Sequence, residues 1–99
     1  VLAFAIKKKV THLEIKEKLS ELPGWSFSND QLKKSYLFKD FREAMGFLIA
    51  ISYQAERLHH HPGIYNCFNR VEITLNTHDA DNRVTEKDFE LARAIESLL

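Results

Sequence analysis

The chain contains one cysteine, two prolines and three glycines among 99 residues. A lone cysteine, Cys67, closes no disulfide within the chain, which suits a reducing compartment. The two prolines mark the two clearest helix stops, Pro23-Gly24 and Pro62. No apolar run reaches the roughly 18 residues that a membrane-spanning helix requires. Neither sign of charge dominates: Lys plus Arg is 14, Asp plus Glu is 14, and the net charge is zero. That removes the bulk electrostatic argument for nucleic acid or an anionic membrane as a direct partner. The one basic cluster, Lys7-Lys8-Lys9, reads as a solvated lead-in to a helix. There is no glycine-rich phosphate loop, G-x-S-x-G elbow, HExxH or paired CxxC, and there are no internal repeats.

What is present fits one soluble globular domain over residues 1–99, with 44% hydrophobic and 28% charged residues. A chain this short buries a modest core, and oligomerisation would add to its stability. Residues 1–10, "VLAFAIKKKV", place their apolar part before their basic part, the reverse of a secretory signal, and read as an N-terminal extension.

Three helix starts carry capping-box spacing: Thr11-x-x-Glu14, Asp40-x-x-Glu43 and Thr85-x-x-Asp88. Val10 with Ile15 and Val84 with Phe89 add hydrophobic staples. The first helix is expected from Thr11 to Leu22 with Ile15, Leu19 and Leu22 inward. The second runs from Asp40 to about Leu58, with Phe41, Ala44, Met45, Leu48, Ile51, Ala55 and Leu58 forming the strongest amphipathic stripe. The third runs from Thr85 to the end with Phe89, Ala92, Ile95 and Leu99 inward. Between them, Trp25–Ser28 and Gln31–Phe38 read as a hairpin turning at Asn29-Asp30. Ile64–Phe68 and Val71–Leu75 read as a second hairpin turning at Asn69-Arg70. The order α-β-β-α-β-β-α predicts an α+β fold: a four-stranded antiparallel sheet with helices packed on one face.

The informative stretch is "AERLHHHPGIYNC", residues 55–67. Proline pushes the preceding residue out of the helical region, so the second helix ends near Leu58 or His59. His59, His60 and His61 then sit at a helix C-terminus, where the free carbonyls favour positive charge. Glu56 lies four residues before His60, so a last helical turn brings carboxylate and imidazole together. His78 follows the strand "VEITLNT" on the face of Glu72, Thr74 and Asn76. Two imidazoles across a cleft can give and take protons in one reaction. The plainer readings are surface-loop histidines and a metal site. A metal is disfavoured by the divergent directions of adjacent histidines. Asp88 has a sufficient structural reason as the third residue of a capping box. Trp25 and Phe27 read as core, Tyr65 as core or pocket wall, and His12 as solvent-exposed.

Glu56-x3-His60-His61-Pro62, Phe68, His78 and Asp88, with "LPGW", "FKDFREAMGFL", "VEITLNTHDA" and "TEKDFELARAIESL", resemble the pterin-4a-carbinolamine dehydratase family over roughly residues 11–99. The family is also known as the dimerisation cofactor of a homeodomain transcription factor. The resemblance implies the same sheet-and-helix fold, sheets paired in a homodimer, and in several members a homotetramer through a helical interface. It implies dehydration of a 4a-hydroxytetrahydropterin to quinonoid dihydropterin, in recycling of tetrahydrobiopterin, with the pterin as substrate and no metal or organic cofactor. A cytoplasmic or nuclear location would follow. It carries His60 and His78 over as the proton-transfer pair, His61 as the residue that binds and polarises the pterin, and Glu56 as the group orienting His60. Asp88 would hold the site from the third helix, and His59, Pro62, Tyr65 and Thr77 would contact or orient substrate. It also brings a second reading, a non-enzymatic coactivator module that stabilises a transcription-factor dimer.

Three departures bear on pocket shape and pterin affinity rather than on proton chemistry. His59 stands where members often have Asp, Asn or Lys. Ile64 stands where an aromatic is common. The link "DADNRV" after His78 is one residue longer than the glycine-containing link many members have.

Overall fold

A computed structural model describes residues 10–99. Helix α1 spans His12–Leu19, strand β1 Ser26–Ser28, β2 Gln31–Leu37, helix α2 Phe41–Leu58, β3 Gly63–Cys67, β4 Arg70–Leu75 and helix α3 Glu86–Glu96. A single 3-10 turn, His78–Ala80, links β4 to α3. The sheet order is β1-β2-β4-β3, with all neighbours antiparallel. The expected α+β architecture and element order are what the chain adopts. Residues 1–9 of the expected N-terminal extension lie outside the described residues; Val10 packs against the core beneath α1.

Strand alternation explains which face is covered. Leu32, Tyr36, Val71, Ile73 and Leu75 are buried on one face with Ile15 of α1, Ala44, Phe47 and Ile51 of α2, and Phe89, Leu91, Ala92 and Ile95 of α3. Lys33, Ser35 and Leu37 point the other way and are exposed, so one sheet face stays open. The helix starts behave as their caps demand. The backbone N–H of Thr11 donates to Glu14 Oε1, and that of Glu14 donates to Thr11 Oγ1, at 2.8 and 3.1 Å. At α2 the box is half closed. Asp40 Oδ1 accepts from the Glu43 N–H, while Glu43 turns to the Lys39 N–H instead.

The expected stripe on α2 needs correction. Phe47 is buried against Tyr36 and Phe38, with ring centroids 4.8 and 4.9 Å away, whereas Phe41 is half exposed. Helix α2 is apolar around much of its circumference, so spacing alone does not select the stripe that meets the sheet. On α3, Leu91 is buried and Leu99 is 65% exposed, because the helix ends at Glu96 and the last residues leave the core face. The second hairpin turns at Phe68-Asn69 rather than Asn69-Arg70. Cys67 pairs with Arg70, and Asn69 is drawn instead to Phe38, donating its amide Nδ2–H to that carbonyl at 2.8 Å.

One pairing positions everything that follows. Gly63, the first residue of β3, faces Thr74 near the end of β4. The chain just before β3 and the chain just after β4 therefore occupy the same end of the sheet. The approach is close: a Cβ on Gly63 would lie 2.4 Å from Thr74 Oγ1, so any larger residue would force the Thr74 side chain to move.

Candidate active site

Helix α2 ends in a Schellman motif. The His59 N–H donates to the Glu56 carbonyl at 3.2 Å and the His60 N–H to the Ala55 carbonyl at 3.0 Å. His59 takes the left-handed conformation at φ 52, ψ 44, a position usually given to glycine. The reversal turns His60 inward, where it is 8% exposed, and sends His61 back along α2. Lys87 Nζ donates to the Leu58 carbonyl at 3.1 Å, fixing the end of α2 to the first turn of α3.

His60 Nε2 meets Asp88 Oδ1 at 2.6 Å. Asp88 is fully buried, and its second oxygen accepts from Thr77 Oγ1 and from the Thr85 N–H, both at 2.8 Å. The Thr77 hydroxyl gives its proton to Asp88, so Thr85 Oγ1 donates to Thr77 Oγ1 across 2.6 Å and accepts from the Lys87 N–H. No fully buried side-chain oxygen or nitrogen of this cluster is left without a partner. A carboxylate only accepts, so His60 carries its proton on Nε2 and turns Nδ1 to whatever lies in front of it. Asp88 thus caps α3 and holds the His60 ring at once. The capping-box spacing marks only the first role, and the family resemblance implies the second.

The expected pairing of Glu56 with His60 is not the one formed. Glu56 Oε2 lies 2.7 Å from His61 Nε2. The α2 helix stops at Leu58 and the left-handed His59 rotates the next residue away, so the four-residue helical spacing no longer applies. The hydrogen bond with His61 and then its charge hold the Glu56 carboxyl below the usual carboxylate range, with His59 adding to the effect.

His78 comes from the other wall, opening the 3-10 turn after β4, with Nδ1 3.1 Å from Asn82 Oδ1. His59, His60, His61, Asn76, Thr77, His78 and Asp79 line one concavity of about 210 Å³. The two histidine-bearing segments therefore converge as the spacing anticipated. Asn76, which alternation sets on the His78 face, and Asp79, which no sequence signal marks, belong to the wall too. Pro62 and Tyr65 do not line it. Tyr65 sits on the open face of β3, half exposed, with the Arg70 guanidinium 5.9 Å from its ring centroid. Its position in the strand, one residue past Ile64, turns it to the face opposite the helices. Among the described residues, no three His, Cys, Asp or Glu side chains are grouped to hold a metal ion. No helix there is long and apolar enough to cross a membrane.

A buried carboxylate–imidazole pair and a second imidazole share a small polar cleft at one end of a helix-covered antiparallel sheet, an arrangement chemically able to give and take protons. Residues 8–98 match the family model for pterin 4 alpha carbinolamine dehydratase. A protein of Opitutus terrae named "Putative pterin-4-alpha-carbinolamine dehydratase" is 46% identical over 89 residues, covering 90% of this chain and 92% of its own. One of the same name from Sulfurisphaera tokodaii is 41% identical over 92 residues, covering 93% and 98%. The crystal structure of a transcriptional coactivator/pterin dehydratase from Brucella melitensis superposes with a TM-score of 0.86 at 39% identity, over 91% of this chain and 97% of that one. A pterin dehydratase-like RuBisCO assembly factor of the alpha-carboxysome shares the fold, with a TM-score of 0.61 at 23% identity over 75% of this chain and 84% of that one. The chain belongs to the pterin-4a-carbinolamine dehydratase family.

Proposed function

We propose that the chain dehydrates a 4a-hydroxytetrahydropterin to the quinonoid dihydropterin plus water, as a step in tetrahydrobiopterin recycling. The reaction breaks the C4a–O bond. The hydroxyl leaves as water after accepting a proton, and a ring nitrogen gives a proton up, so the two transfers balance. The observation that carries this reading is the shared cleft of His60 and His78, each with one ring nitrogen already committed to a protein acceptor.

The two imidazoles differ in what stands behind them. His60 faces a buried carboxylate, with which it forms an ion pair when doubly protonated. It is the member suited to deliver the proton to the leaving hydroxyl through Nδ1. His78 faces a neutral amide oxygen and offers Nε2 as the acceptor for the ring-nitrogen proton. His61, held by Glu56 at the cleft rim, binds and polarises the pterin. Each well-placed acid or base is worth about 10²–10⁴-fold.

Stopped-flow dehydration of the carbinolamine tests the assignment. His60→Ala and His78→Ala are each expected to lose about 10²-fold or more in rate. If both variants turn over at the wild-type rate, the assignment is wrong. His61→Ala is expected to abolish pterin binding in titration.

A second reading has its own observation. Helix α2 exposes Phe41, Ile49 and Tyr53, at 50, 56 and 73%, with Ile49 and Tyr53 one turn apart on one face. Exposed apolar side chains of this size suit a homo-oligomer or a protein partner of a coactivator module. A protein that lacks dehydratase activity but forms a stable complex through this face would favour that reading. Sedimentation of wild type against Tyr53→Glu measures the face directly.

A further inference from the structure

The link between His78 and α3 carries the amide that stands behind the His78 ring. Thr77 and Arg83 pair as an isolated antiparallel bridge, with the Thr77 N–H donating to the Arg83 carbonyl at 2.8 Å. Within that bridge the chain makes the 3-10 turn His78–Ala80, and the Arg83 N–H returns to the Ala80 carbonyl at 3.1 Å. Asp81 and Asn82 both adopt left-handed conformations, at φ 57 and 58. Two consecutive left-handed residues reverse the chain so that the Asn82 side chain comes back over the start of the turn. Its Oδ1 then lies 3.1 Å from His78 Nδ1.

The backbone alone does not ask for asparagine. Glycine adopts a left-handed conformation at less cost, and aspartate tolerates it about as well. What asparagine adds is a neutral acceptor at a fixed place. We propose that Asn82 is a positioning residue, one that fixes the ring of His78 with its proton on Nδ1 and its lone pair on Nε2. The proposal rests on the reading of His78 as the proton acceptor, and it assigns the residue that makes it one. Without the contact, neutral imidazole in water samples both tautomers and rotates about its exposed bonds. Only part of the population would then present a bare nitrogen to the pterin. A single neutral hydrogen bond of this kind is worth a fewfold effect on rate, on the order of fivefold to tenfold.

Two measurements test it. The first needs no substrate: two-bond proton–nitrogen correlation spectra of the ring-labelled protein report which His78 nitrogen is protonated. Wild type is expected to show Nδ1–H. Asn82→Gly, which keeps the turn and removes the amide, is expected to show a tautomer mixture. Asn82→Asp, which restores an acceptor at the same place, is expected to return the ring to Nδ1–H. The second is turnover. Asn82→Gly is expected to lose about fivefold to tenfold in kcat with KM nearly unchanged, Asn82→Asp to recover, and Asn82→Gly to cost nothing further in a His78→Ala background.

A His78 ring whose nitrogen shifts are the same in wild type and Asn82→Gly overturns the proposal. So does a loss of rate that persists undiminished on the His78→Ala background. If wild type does not dehydrate the carbinolamine at all, the proposed function fails, and the spectra still decide whether Asn82 sets the ring.

Discussion

Asp88 Oδ1 meets His60 Nε2 at 2.6 Å, joining the third residue of α3 to the residue that leaves α2. The carboxylate is fully buried and takes three hydrogen bonds: from the ring, from Thr77 and from its own helix cap. Helix geometry and ring orientation are therefore set by one group, and neither can be altered without the other.

Asp88→Asn tests this coupling. The amide brings two N–H donors into a pocket built of donors, so at least one buried hydrogen bond is lost. The expected cost is about 2 kcal/mol of stability. The ring also loses its reason to keep the proton on Nε2, and kcat is expected to fall about 10²-fold or more, as when other carboxylate–histidine pairs are broken. Urea unfolding measures the first, and single-turnover rates on the folded fraction measure the second. A variant that is destabilised yet turns over normally would make Asp88 a cap and nothing else.

Glu56 offers the contrast. It touches His61, not His60, and both partners are exposed. Glu56→Gln is expected to raise KM, through a less well-held His61, while kcat and the melting temperature stay near wild type. Steady-state kinetics beside the Asp88→Asn data separates the two carboxylates. A drop in kcat with unchanged KM would contradict the assignment of His61 to binding.

His59 carries a backbone cost. A side chain at φ 52, ψ 44 is less stable than glycine there by about 1 kcal/mol, partly offset by the freedom glycine has in the unfolded chain. His59→Gly is expected to raise the melting temperature by a few degrees while removing one imidazole from the cleft wall. Calorimetry checks the sign. A lower melting temperature would show that the side chain repays its strained backbone within the folded state.

Away from the cleft, Glu96 gathers Trp25 Nε1 at 3.0 Å, Lys34 Nζ at 2.8 Å and the Tyr36 hydroxyl at 2.7 Å on a single oxygen. Partial burial by itself pushes the Glu96 carboxyl up. The hydrogen bonds from Lys34, Tyr36 and Trp25, and the charge of Lys34, outweigh it and hold the group below the usual carboxylate range. Burial pushes the Tyr36 phenol far up, with its bond to Glu96 and the carboxylate charge acting the same way. A carboxyl depressed in the folded state stabilises fully above its unfolded-state range. That contribution is lost as pH falls through the folded-state value. Glu96→Gln is expected to cost about 2 kcal/mol at neutral pH and to flatten the fall in stability on the acid side. Urea midpoints taken from neutral pH downward give both numbers. Parallel curves for wild type and variant would rule out Glu96 as a source of the acid sensitivity.

Much of this architecture was readable from the chain because local signals agreed. Caps at Thr11, Asp40 and Thr85, the proline stops and the alternation of Val71, Ile73 and Leu75 all pointed to one element order. On α2 the apolar pattern favours Phe41 over Phe47 because much of the helix surface is apolar, whereas Leu99 falls outside the core because α3 ends at Glu96. The turn was placed one residue late because Asn69 is a common turn residue, while Phe68 at φ 52 is an unusual one. The Glu56 partner was missed because periodic spacing ends where the helix does. The Asp88–His60 contact and the Asn82–His78 contact are products of the packed fold. Nothing in the local sequence distinguishes them from a cap and a turn.

The pairing of Gly63 with Thr74 gives the cleft an unequal tolerance to changes in chain length. A residue inserted at the Phe68-Asn69 tip can propagate down the hairpin as a slip. It would slide one histidine wall past the other by about 3 Å per residue and turn every side chain of β3 over. A residue inserted between Asp79 and Arg83 stays inside the Thr77–Arg83 bridge, so it leaves the sheet register alone and shifts only the link itself, with Asn82 and its hold on His78. The link after His78 is therefore the place where this cleft tolerates a change of length without a slip of its strands.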